Sequence, residues 1–118
     1  MATEAREKFE HLKKGIRSVS KFDIPETMKA WNDFHKKAME SGALDAKTKE
    51  LIALGIALSM RCHNCIILHV KECKRLGVKR EEILGVYEVS MVMGGGPSMT
   101  YCSELIDALE EYYPIAQA

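Results

Sequence analysis

Apolar residues recur along this chain at steps of three and four, and no stretch alternates at steps of two. That periodicity predicts helices and no strands. Phe9, Leu12, Ile16 and Val19 form one stripe in the first segment. A second stripe, Met28, Trp31, Phe34 and Ala38 with Met39 beside it, follows Pro25, which marks its start. The glycine of "SGALDA" (41–46) stops that helix, and Asp45 is placed to cap a third. The third helix, near 46–60, is apolar on all sides, the signature of a central helix surrounded by others. A fourth is expected from about Cys62 to Leu76, stopping at Gly77. A fifth runs from about Lys79 to Met93, carries Ile83, Val86, Val89 and Ser90, and ends in "GGGP" (94–97). Ser98 offers an N-cap for a sixth, with Cys102, Leu105, Ile106, Leu109 and Tyr112 facing inward. The expectation is an all-α bundle of about six helices in a single domain over residues 1–118, with no internal repeat or long linker.

Composition narrows the function. A chain of 118 residues with 47% hydrophobic content buries most of its unfolded surface without covalent staples. Seventeen basic residues balance seventeen acidic ones, which leaves no charge excess to bind nucleic acid or an anionic membrane. The longest apolar run, "LIALGIALSM" (51–60), is half of what a membrane-spanning helix needs. The opening residues are charged throughout and lack the apolar centre of a secretory signal, so the protein is expected in the cytoplasm, where thiols stay reduced.

The candidate chemistry sits in "RCHNCIILHVKECKRLG" (61–77), where Cys62, Cys65, His69 and Cys73 share one helix face. Along a helix axis the first and last are about 16 Å apart, too far for all four to reach one zinc ion, and no second CxxC or HxxxH supplies further donors. No metal or other cofactor is expected. Cys62 and Cys65, three apart in a first helical turn, have Cα atoms near the range a disulfide requires. A helix N-terminus also favours thiolates. Four residues on, the His69 imidazole can reach the Cys65 sulfur, an arrangement of nucleophile and base.

The stretch "ELIALGIALSMRCHNCIILH", Glu50 to His69, resembles the motif of the alkylhydroperoxidase D-like branch of the carboxymuconolactone decarboxylase family: Glu, eleven residues, Cys, two residues, Cys, three residues, His. "LDAKTKE" before it and "MVMGGGP" after it are similar too, so the likeness covers roughly residues 30 to 110. The resemblance implies a helical fold that assembles into homo-oligomers, often trimers or hexamers, and a thiol peroxidase. It makes Cys65 the residue that attacks a hydroperoxide, Cys62 the one that resolves the product as a Cys62–Cys65 disulfide, and His69 with Glu50 a proton relay. An external dithiol or disulfide reductase is the implied electron donor. One departure concerns His63: related enzymes can carry a histidine immediately before the second cysteine, where this chain has Asn64.

Physical reasoning bears on the same roles. The helix dipole favours Cys62 as the more acidic thiol, whereas His69 favours Cys65; the histidine is given more weight because cleaving a peroxide also requires an acid beside the reacting sulfur. Glu50 can face His69 across a helical hairpin, since an apolar setting obliges a carboxylate to find a partner. Cys73 and Cys102 read as packing, His11 and His35 lie in amphipathic helices away from the cysteines, and "GGGP" reads as a close-packing turn. Two alternatives stand beside the peroxidase: a decarboxylase or lactone-processing enzyme like the family's other branch, which does not depend on CxxC, and a redox-sensing or disulfide-exchange module. Metal analysis of purified protein is expected to find no stoichiometric zinc. One zinc per chain, lost in Cys62→Ser, would contradict the spacing argument.

Overall fold

The apolar run at 51–60 forms the latter part of α3 (Ala46–Met60), against which most of the molecule is assembled. A computed structural model describes residues 3–115. Asp45 caps α3 as expected, its Oδ1 accepting the Thr48 amide at 2.8 Å, and that backbone hydrogen bond holds the Asp45 carboxyl below the usual carboxylate range. Leu54, Ala57 and Leu58 turn inward and meet Ile66, Ile67 and Val70 of α4 (His63–Arg75), so α3 and α4 make a helical hairpin. Gly77 follows α4 at φ 80°, a conformation that glycine adopts freely.

The hairpin is flanked on two sides. α5 (Arg80–Thr100) lies along α3, with Val86 Cγ1 only 3.4 Å from where a Cβ on Gly55 would stand. α6 (Cys102–Tyr112) lies along α4 and buries Leu105, Ala108 and Leu109. α1 (Glu4–Ser18) closes α4 and α6 with Ala5 and Phe9, and the Lys71 ammonium rests 4.6 Å from the Phe9 ring centre. All these side chains share one buried cluster. A π-helical turn, Val19–Asp23, leads from α1 to α2 (Pro25–Met39). The described elements are six α-helices and this turn, with no strand among them. None of these helices is long and apolar enough to cross a membrane.

Three local expectations change. The α2 stripe is not an inner face: Trp31 and Phe34 are 57% and 63% exposed, and only Met28, His35 and Met39 are half-buried. An amphipathic pattern shows that a helix has an apolar side, without saying which molecule covers it. For the same reason α3 is not enclosed all round, since Ile52 and Ile56 stand about half exposed. Finally, Ser98 does not begin α6. Within Arg80–Thr100 the non-helical Gly95 (φ 64°, ψ −145°) separates two helical stretches, so the first ends at "GGGP" as expected and the second carries Pro97 in its first turn. Ser98 therefore caps nothing; it folds back over Gly94 and is buried, while Tyr101 stands at the N-cap of α6 without a side-chain cap.

The glycines of this bend are not equivalent. A Cβ on Gly94 would lie 1.7 Å from Ser98 Oγ and 2.8 Å from Ser98 Cβ, whereas one on Gly96 would meet nothing within 4 Å. Denaturant unfolding should show Gly94→Ala destabilised by about 1–3 kcal/mol, the scale of overpacking. Gly96→Ala should be unchanged or slightly more stable, because alanine restricts the unfolded chain.

Candidate active site

The turn between α3 and α4 decides how the cysteines are presented. Arg61 closes α3 in the left-handed region (φ 55°, ψ 41°), a conformation that a side chain disfavours by about 1–2 kcal/mol. The Cys62 amide returns to Ala57 O at 3.0 Å and the Arg61 amide to Leu58 O at 3.3 Å, a helix ending usually built on glycine. Tyr101 from the head of α6 holds the strained residue, its hydroxyl donating to Arg61 O at 3.0 Å. The chain therefore enters α4 with no intervening loop. Cys62 occupies the N-cap position and Cys65 the first turn.

Cys62 and Cys65 are joined, with Cα atoms 5.2 Å apart. One turn further along α4 comes His69, and here the hairpin brings in a residue nineteen positions earlier. His69 Nδ1–H donates to Glu50 Oε2 at 2.7 Å. Glu50 is only 5% exposed, with the His69 side chain beside it at 14%. An ionised carboxylate at that depth needs a donor, and the imidazole supplies one. This bond also fixes the tautomer, leaving Nε2 as the nitrogen able to take up or release a proton; among the described residues it has no hydrogen-bond partner. Glu50 of α3 and His69 of α4, predicted as a pair, are thus brought together across the hairpin, with His69 on the helix that begins at Cys62 and carries Cys65.

The remaining thiols have other settings. Cys73, one turn past His69, is fully buried; burial first, and then the negative charge of Glu50, pushes its thiol up to about 12. Cys102, half-buried at the head of α6, lies beside Tyr87 of α5 and raises that phenol through a side-chain hydrogen bond. His11 borders a hollow of about 320 Å³ shared with Lys8, His63 and Asn64, next to the first turn of α4.

His63, given no role from sequence, proves to be the hub of a clamp. The Lys8 ammonium of α1 donates to its Nε2, and its Nδ1–H donates to Glu104 of α6. Both ring nitrogens are thereby engaged. Lys8 also pairs with Glu4 at 2.9 Å, and this bond raises the ammonium's pKa and lowers that of the Glu4 carboxyl. Lys8 and Glu104 were not foreseen, since only the tertiary fold joins residues 55 and 41 positions from His63.

The sequence profile of the carboxymuconolactone decarboxylase family matches residues 25–108, most of the chain and all four residues of the motif. The chain belongs to that family. Among solved structures it is similar to a carboxymuconolactone decarboxylase family protein of Legionella pneumophila, with TM-score 0.82 and 37% identity over 89% of this chain and 96% of that one. It is also similar to a carboxymuconolactone decarboxylase family protein of Thermotoga maritima, for which a part in antioxidative response is suggested; there the TM-score is 0.75 with 27% identity, covering 88% of each chain. An uncharacterized protein of Haemophilus influenzae is 32% identical over 108 residues, 92% of this chain and 95% of that protein. Within this family member, α1 precedes the matched region, so the Lys8 contact to His63 comes from outside it.

Cys73 provides a direct check on the environment. A thiol raised to about 12 is neutral at ordinary pH, and because folding raises it from 9.0, its favourable contribution is intact below pH 9 and falls as pH climbs toward 12. In reduced, folded protein at pH 8, iodoacetamide should leave Cys73 unmodified while labelling Cys62 or Cys65, as read by peptide mapping. Rapid labelling of native Cys73 would contradict the burial.

Proposed function

We propose that this family member is a thiol-dependent peroxidase of the alkylhydroperoxide reductase type, working in the cytoplasm. The observation that carries the reading is the buried hydrogen bond from His69 of α4 to Glu50 of α3, with Cys62 at the N-cap of α4 and Cys65 in its first turn. A relay of this kind serves proton transfer, and a CxxC pair beside it serves two-electron redox chemistry.

His69 first takes the proton of the Cys65 thiol, giving a thiolate and an imidazolium. Cys65 thiolate attacks one oxygen of a hydroperoxide; the S–O bond forms, the O–O bond breaks, and the departing alkoxide takes a proton from His69, with Glu50 stabilising the imidazolium that gives it. Cys65 is left as a sulfenic acid. The Cys62 thiol attacks that sulfur, the S–S bond forms and water leaves. The disulfide present in this structure corresponds to the end of that half-cycle, and an external dithiol returns both cysteines to thiols by exchange. Metal is not part of the scheme. Self-association belongs to the same reading: an apolar groove of about 430 Å³ between α3 and α5, together with exposed Val92, Met93, Trp31 and Phe34, leaves a surface suited to further copies of the chain.

Thiol counting with a stoichiometric hydroperoxide tests the reading. Wild-type protein should lose two thiols, mapped to Cys62 and Cys65. Cys62→Ser should still react once and leave a sulfenic acid at Cys65 that dimedone traps, while Cys65→Ser should not react. His69→Ala should slow the first oxidation by about 10²-fold or more, the usual scale for a positioned acid or base. Glu50→Gln should slow it less, since Glu50 acts through the imidazole. Trapping at Cys62 would exchange the two roles. Trapping at neither would remove the peroxidase in favour of a decarboxylase-like enzyme or a disulfide-exchange module.

A further inference from the structure

Among the α-helices described, α2 alone buries no residue. Its C-terminal half nevertheless forms one wall of a hollow of about 330 Å³ that Glu50 also lines, along with His35, Met39, Glu72 and Leu76. Glu50 and the end of α2 thus face one shared hollow, and the helix that closes it has little apolar anchorage of its own.

What ties this wall down is Lys49, the residue immediately before Glu50. Its Nζ donates to Ala38 O at 2.9 Å and to Glu40 O at 2.8 Å. Ala38 belongs to the last turn of α2, where carbonyls lack intrahelical partners and carry the negative pole of the helix, and Glu40 is its C-cap. On its own helix the charge is badly placed. Lys49 lies in the N-terminal part of α3, near the positive pole of that helix, where the Asp45 carboxylate is already engaged by the Thr48 amide. A lysine at the unfavourable end of one helix and the favourable end of its neighbour makes a bridge between helix ends.

We propose that Lys49 is a positioning residue of the Glu50–His69 pair: by holding the last carbonyls of α2 it keeps that wall over Glu50 and excludes bulk water from the carboxylate. Water admitted there would compete with the imidazole for the carboxylate and raise the local dielectric, weakening the bond that orients His69. The kinetic consequence rests on the peroxidase reading; the positioning itself does not.

Three readouts on the full chain distinguish the two. They compare wild type with Lys49→Met, which keeps the stem, with Lys49→Gln, which keeps a neutral donor, and with Lys49→Arg, which can donate to the same carbonyls. The first is hydrogen exchange over residues 25–39, together with acrylamide quenching of Trp31, the chain's only tryptophan. Lys49→Met should speed exchange there by about tenfold relative to α4 and α6, as expected for local release of one helix. The second is the imidazole Nδ1–H resonance of His69, which should be visible in wild type, broadened by exchange with water in Lys49→Met, and restored in Lys49→Arg. The third is oxidation of Cys65 by tert-butyl hydroperoxide across pH, which should slow by about threefold to tenfold in Lys49→Met with a displaced pH profile, and recover in Lys49→Arg. Lys49→Gln should fall between them and stands in if Lys49→Met fails to fold. Unchanged exchange in α2, or a released α2 with the His69 resonance intact, would overturn the proposal. Wild-type protein inert to the hydroperoxide would defeat the peroxidase reading while the first two readouts still decide the role of Lys49.

Discussion

A carboxylate buried in an apolar hairpin is the constraint on which the site depends. Glu50 stands one helical turn before Leu54, in a helix otherwise rich in aliphatic side chains, and its charge is tolerable at that depth only because His69 donates to it. That requirement fixes the register of α3 against α4. Sliding one helix past the other by a turn would separate the pair and strand an uncompensated charge. His69 lies one turn from Cys65 along α4 itself, and the register leaves its Nε2 rather than Nδ1 available, so the condition that stabilises the hairpin also selects the nitrogen that can do chemistry.

Polar contacts between helix ends then hold the parts that the core holds weakly. Lys49 reaches the C-terminus of α2, and the Lys47 ammonium lies near Gly77, just past the end of α4. Tyr101 ties the head of α6 to the strained Arg61, while Lys8, His63 and Glu104 join α1, α4 and α6 around the residue that follows Cys62. The cysteine pair is thus surrounded by anchored backbone, which lets a short turn with an unfavourable Arg61 conformation persist.

The legible part of this design was whatever depends on near neighbours in sequence. Asp45 as an N-cap, Gly77 as a stop, the CxxC with a histidine four residues on and the all-helical periodicity are local patterns with local causes. Glu50 with His69 was a longer reach, accessible because two helices joined by a tight turn must run antiparallel and the number of residues on each side is countable. The His63 clamp lay beyond such reasoning, as it joins three helices distant in sequence. "GGGP" was legible as a helix end and a close-packing turn, since the missing Cβ of Gly94 makes room for Ser98 and Gly95 breaks the helix; what the local pattern did not show is that helix resumes before α6, which puts Ser98 inside that stretch instead of at the N-cap of α6.

The balance between the two cysteines follows from the same geometry. Cys62 is nearest the helix N-terminus, but it occupies the N-cap position, where the chain is still extended, and its adjacent residue His63 has both nitrogens committed to Lys8 and Glu104. The neighbouring His63 is therefore not free to hand a proton to a group leaving from Cys62. Cys65 has His69 one turn away, with a free Nε2 and a carboxylate behind it. On the proposed peroxidase reading, dipole stabilisation alone makes a thiolate, whereas cleaving an O–O bond also needs a proton delivered to the leaving oxygen, which His69 would supply on the Cys65 side. On the same reading the clamp on His63 does more than pin α1: by engaging the competing imidazole, it would leave the two cysteines chemically unequal.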